Sequence, residues 1–150
     1  MRITFGEINV EDPSNFRSEY AAFINSKYVV SLEVVEFAAK KAVKNWQSGR
    51  RISRSLPIEI LLHYAATRQI KDALKLSVGK GVNRVAAVIL DEEKVKDFEE
   101  MEFRPEYDLD AVLSHYGITN EELEIAGIEK LPLLVRERIA LFSAFEEVVG

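Results

Sequence analysis

The sequence predicts an α/β protein: a single compact domain in which a small β-sheet packs with about seven helices, and whose C-terminal third is helical. Three observations lead there. The 150-residue chain is 47% hydrophobic, a size at which one core buries roughly two-thirds of the unfolded surface. The apolar period switches between strand-like and helix-like up to Leu90, in the order β-α-β-α-α-β. The run Val82 to Leu90, dense in Val, Ala and Ile, is apolar on both faces, as a central strand must be.

Arg2 to Val10 alternates around Ile3, Phe5 and Ile8 and reads as the first strand, with Gly6 weakening it or marking a bulge. Asp12 and Pro13 read as the N-cap and first position of a helix carrying Phe16, Tyr20 and Phe23 to about Asn25. Tyr28 to Leu32 is a β-branched run expected as a short buried strand. From Glu33 to Gln47, Val35, Ala38, Ala39, Ala42 and Trp46 mark a core helix whose outer side holds Lys40, Lys41 and Lys44. Pro57 opens a helix with Ile58, Leu61, Leu62 and Ala65 inward, and Gln69 to Ser77 forms another, ended by Gly79 and Gly81. After the central strand, Asp91 caps an acidic helix through about Met101. Asp108 to Tyr116 is a short helix ending at Gly117, Thr119 to Glu122 is a capping box, and Pro132 opens a last helix to about Val149.

The net charge of −5 hides a segregation. Residues 37–90 carry Lys40, Lys41, Lys44, Arg50, Arg51, Arg54, Arg68, Lys71, Lys75, Lys80 and Arg84 against Glu59 and Asp72, whereas both ends are acidic. A basic middle points to a polyanionic ligand, because clustered cations raise affinity for phosphates whatever the total charge. The alternative is that these side chains solvate separate faces that never converge. No secretory-type leader or bilayer-length apolar run is present, so a cytoplasmic protein without membrane contact is expected.

Catalysis finds little support. Cysteine is absent, which removes disulfides, thiolate metal sites and cysteine nucleophiles. His63 and His115 have no partner at metal-ligand spacing, and a core or surface role fits each. Gly79-Lys-Gly81 begins like a dinucleotide loop but precedes a strand where that motif must open a helix. The acidic trio Asp91-Glu92-Glu93 is explained as favourable charge at a helix N-terminus. No catalytic residue, metal or cofactor is expected.

One stretch is richer than the fold requires. Glu59 to Ala66 is an apolar helix; Thr67-Arg68-Gln69-Ile70 then breaks it and opens another, Ala73 follows two positions after Lys71, and the apolar strand Val85 to Leu90 comes next. This pattern resembles the PRPK-binding protein family, the small kinase-associated subunits of the KEOPS complex. The family often has glycine where this chain has Ala66, a departure that bears on local backbone geometry. The resemblance covers nearly the whole chain, 1–150, as one such accessory-subunit domain, and it implies a protein without catalytic activity of its own. It further implies membership of the assembly that makes threonylcarbamoyladenosine in tRNA, binding of its atypical kinase/ATPase subunit, and recruitment of tRNA through the 3′ CCA end.

Side chains suited to those roles are present. Arg68 and Gln69 stand at a helix N-terminus beside Ile70, and Lys71, Lys75, Lys80 and Arg84 can extend a tRNA-binding surface. Arg68 and Gln69 serve equally to fix the break between two helices, and Arg50, Arg51 and Arg54 either meet phosphate or solvate a loop. In the last helix Leu134, Leu141, Phe142, Phe145 and Val148 share a broad face that Val135, Ile139 and Val149 widen, with Arg138 inside the arc. With the resemblance, this pattern makes Arg138, Ile139, Phe142 and Phe145 the expected partner-binding residues, with Ile139 outward and Arg138 either snorkelling at the edge of the arc or meeting a carboxylate such as one from the partner. A helix simply buried in its own domain is the alternative there, and a protein-interaction module without direct RNA binding is the alternative for the whole chain.

Overall fold

The computed structural model describes residues 1–149 except Asn15 and Arg17, and of Val149 only the backbone. The strands β1 (Arg2–Val10), β2 (Ala21–Asn25), β3 (Gly81–Ile89) and β4 (Phe98–Glu100) form one antiparallel sheet in the order β2-β3-β1-β4. The helices are α1 (Leu32–Gln47), α2 (Leu56–Ala65), α3 (Ile70–Leu74), α4 (Leu109–Tyr116), α5 (Asn120–Ala126) and α6 (Leu131–Val149). The α/β class and the helical last third hold, but the helix number does not: among the described residues there are six, not about seven.

The helix expected from Asp12 is instead a loop followed by β2; Asn15 and Arg17 lie outside the described residues. Asp12 Oδ1 accepts from the Ser14 backbone N–H at 3.0 Å and from its hydroxyl at 2.6 Å, a local turn that competes with a helix cap. Ala21 to Ile24 are then buried on both sides of the sheet, a pattern that periodicity does not separate from a buried helix. Val29 and Val30 plug the core as a short 3₁₀ turn, Ser26–Tyr28, leads to the Ser31 cap of α1, so the expected strand there is absent. The acidic helix after Asp91 is also absent. Asp91 Oδ1 turns to the Glu93 amide at 3.2 Å, Asp97 takes a left-handed φ of 61°, and β4 follows.

Side chains alternate along a strand, so the pairing of β1 with β3 from Arg2↔Ile89 to Val10↔Gly81 fixes two faces at once. On one, Phe5, Ala86 and Val88 join the main core with α1, α2, α4 and α6. On the other, Ile8, Val85, Ala87 and Ile89 pack with Phe23 beneath Phe16, Val95 and Phe98, which arrive from loops and from β4. Gly6 is needed where β4 closes over β1: a Cβ there would fall on the Glu99 carbonyl oxygen and lie 2.7 Å from the Phe98 ring. Gly6→Ala should therefore destabilise the protein by about 1–3 kcal/mol through loss of the β4 pairing. Urea unfolding is the check, and an unchanged midpoint would contradict this role for the glycine.

Candidate functional site

The last helix divides its faces differently from the sequence expectation. Leu131, Val135, Ile139, Ser143 and Glu146, three or four residues apart, form its inward line. Ile139, expected to face outward, is 0% exposed; it is a core residue, and its side chain is not available to a partner. Phe142 is half-buried with its ring edge-on to His63 at 5.2 Å. The outward half carries Leu141 (63% exposed), Phe145 (58%) and Val148 (85%), together with exposed Leu133 and Ala144; among these positions Glu137 brings a charge. At the start of α6 a groove of about 590 Å³ opens toward α1, lined in part by Val34, Phe37 and Leu133. Arg136 covers the Phe37 ring at 4.4 Å.

Arg138 does meet a carboxylate, from its own chain. Its two terminal nitrogens each donate to Glu122 at 2.9 Å, and Nε donates to the Tyr116 carbonyl at 3.3 Å. The guanidinium holds the Glu122 carboxyl below the usual carboxylate range. Thr119 caps α5 by accepting from the Glu122 amide at 3.0 Å, so the capping-box hydroxyl acts as expected while the carboxylate is drawn onto Arg138.

The second feature is the junction between α2 and α3. Thr67 N–H donates to the Leu62 carbonyl and Ala66 N–H to that of His63, which closes α2 with a left-handed residue. That residue is Ala66, at φ 53°, a conformation glycine adopts without the Cβ penalty. Thr67 Oγ1 then accepts from the Gln69 N–H at 3.1 Å, and the chain enters α3, shorter than the stretch to Ser77 that was expected. Arg68, Gln69, Ile70 and Lys71 stand exposed side by side, with Ile70 41% exposed between the two cations.

The other expected RNA residues are spread out. Lys75 lies one turn on and pairs with Asp72 at 3.4 Å. Lys80 is exposed in the turn that Asn83 holds by hydrogen bonds to Gly79 and Gly81. Arg84 sits on the sheet, paired with Glu106 at 2.8 Å and Glu7 at 3.4 Å, which raise its pKa. Lys44 likewise reaches Glu147 at 3.8 Å, and Arg51 lies over the Trp46 ring at 3.9 Å. The acidic ends thus fold back onto part of the basic middle.

Junction and helix meet in a buried polar tie. Arg68 Nη1 donates to both oxygens of Glu146, at 3.0 and 2.9 Å; the carboxylate is buried while Arg68 is half exposed. One turn away His63 Nδ1 lies 2.7 Å from Ser143 Oγ, both buried. Glu146 is not among the side chains that the sequence points to. Ser143 and Glu146 fall four and seven positions after Ile139, so they share the inward line once Ile139 faces the core.

The outward half of α6 is a helix face left apolar in solvent, and such faces mark protein-interaction sites. Residues 8–142 match the family model described as Kinase binding protein CGI-121, and the chain belongs to that family. A search of curated proteins finds no match.

Burial lowers the His63 pKa from 6.5 to about 4, with Glu147 offsetting this in part. The unfolded chain therefore binds a proton that the folded one refuses between those values. The stabilising contribution is complete above about pH 6.5 and is lost as pH falls toward 4. Between pH 7 and pH 5, where most carboxylates stay ionised, the protein should lose on the order of 2 kcal/mol from this residue. Urea titrations of the wild type and His63→Gln at both pH values test it; equal losses in the two proteins would exclude His63 as the cause.

Proposed function

We propose that this protein is a non-catalytic, cytoplasmic subunit of the KEOPS complex that docks the kinase/ATPase subunit on the outward face of α6 and offers the α2–α3 junction to the 3′ CCA end of tRNA. The exposed set Leu141, Phe145 and Val148 carries the docking half. Spaced by four and three, these side chains form one stripe along the helix, which suits insertion into an apolar groove of a partner. Family membership supplies the class of that partner, a kinase. The RNA half is supported by the resemblance at Thr67-Arg68-Gln69-Ile70 and by the contiguous exposure of two cations around an apolar side chain. Single-stranded RNA is gripped through phosphates and unstacked bases by that combination.

A module that binds protein alone is the second reading, favoured by the ion pairs that engage Arg68, Lys75 and Arg84. Binding of intact and CCA-trimmed tRNA, each measured against salt, separates the two. The expectation is affinity that falls with salt and drops when the CCA end is removed. Equal affinity for both RNAs leaves only unspecific charge attraction and removes the recruiting role. For the docking half, Phe145→Glu should weaken the kinase complex by at least ~2 kcal/mol, roughly thirtyfold, with an unchanged melting temperature because the side chain is already in solvent. Calorimetric titration with the kinase subunit reads this directly, and wild-type affinity would place the interface elsewhere.

A further inference from the structure

We infer that Arg68 is a positioning residue for the docking face of α6, acting through Glu146, so that the α2–α3 junction and the docking face form one coupled unit. The inference rests on the docking reading above and does not require RNA binding. Phe145 and Glu146 are consecutive on α6, so their side chains leave the helix about 100° apart, Phe145 into solvent and Glu146 into the buried side. Whatever fixes Glu146 also fixes the presentation of Phe145, and of Leu141 and Val148 on the same stripe.

Arg68 holds that carboxylate through a single nitrogen, Nη1, at 3.0 and 2.9 Å. No other ion pair reaches Glu146 among the described residues. The polar link next to it along α6 is Ser143 to His63, on the same helix α2 whose end leads into Arg68. A buried carboxylate stripped of its partner is a strongly destabilising group, and the least costly relief here is for the last turns of α6 to swing Glu146 into water. That movement carries the apolar stripe with it. Replacing both partners by apolar side chains removes the unpaired charge as well as the ion pair, so it should restore the helix. Nε and Nη2 of Arg68 make no hydrogen bond among the described residues, so an anion can approach the guanidinium while Nη1 keeps Glu146 in place.

The test combines hydrogen exchange on the full chain with titration by the kinase subunit. Arg68→Ala should speed exchange across residues 140–149 by roughly tenfold or more, leave β1 and β3 unchanged, and weaken kinase binding at least tenfold. The double variant Arg68→Leu/Glu146→Leu should return both readouts to within about threefold of the wild type. A merely stabilising role would instead speed exchange throughout the chain. Arg68→Lys, which keeps the charge but loses the planar geometry, should show a milder form of both effects, and it preserves the test where the alanine variant does not fold. The inference is overturned if α6 exchange or kinase affinity is unchanged in Arg68→Ala, or if the double variant stays as weak as the single one. The docking reading fails separately: Phe145→Glu would then bind the kinase as the wild type does. Loss of binding in Phe145→Glu with none in Arg68→Ala keeps the docking face and sinks the coupling.

Discussion

The pairing of β1 with β3 over nine consecutive positions is the constraint on which the rest of the molecule depends. It places β3 in the interior of the sheet with both faces apolar, and both must then be covered. The helical face is closed by long elements with apolar stripes. The other is closed by short loops and β4, which reach it only because Gly6 lets the Phe98 ring and the Glu99 backbone come close. The strand order β2-β3-β1-β4 follows, and with it the stacking of α1, α2 and α6 on one side.

That stacking assigns the faces of α6. Core space opposite Leu131, Val135 and Ile139 accepts aliphatic side chains. Farther along, α2 ends and presents His63 and then Arg68, so the inward positions of α6 become Ser143 and Glu146. Polar groups are therefore buried on the core side while Leu141, Phe145 and Val148 remain in water. Buried polar groups are tolerated when they are paired, and an apolar stripe in water is stable to aggregation when another protein covers it. The family's kinase-binding character and this inverted arrangement are consistent with each other.

Electrostatics changes its meaning on folding. The basic middle of the chain suggests a broad cationic surface, yet Arg84 is held by Glu7 and Glu106, Lys44 lies near Glu147, and Arg68 shares its guanidinium with Glu146. What remains for an anion is divided: the free side of Arg68 with Lys71 near it at the junction, Lys80 in the turn entering β3, and Arg50 and Arg54 in the loop before α2.

By itself the sequence determined the elements whose signals are local. Asp108 and Thr119 each accept from a backbone amide at a helix start, Gly117 closes α4 in the left-handed region, and the apolar run of β3 marks a central strand; the caps Ser31 and Ser55 show only in the structure, Ser31 within a run that reads as a strand. The family was legible for a related reason, since Thr67-Arg68-Gln69-Ile70 is a local motif. Ala21 to Ile24, the turn after Asp91 and the orientation of α6 were not, because a short apolar run or a helix that is apolar nearly all round has no preferred side until something packs against it. Only the tertiary structure decided that Ile139 faces the core and Phe145 the solvent, that Arg138 belongs to Glu122, and that Arg68 is tied to Glu146. Each of those pairings joins residues far apart in the chain, and no spacing along the sequence encodes which distant charge or cavity a side chain will meet.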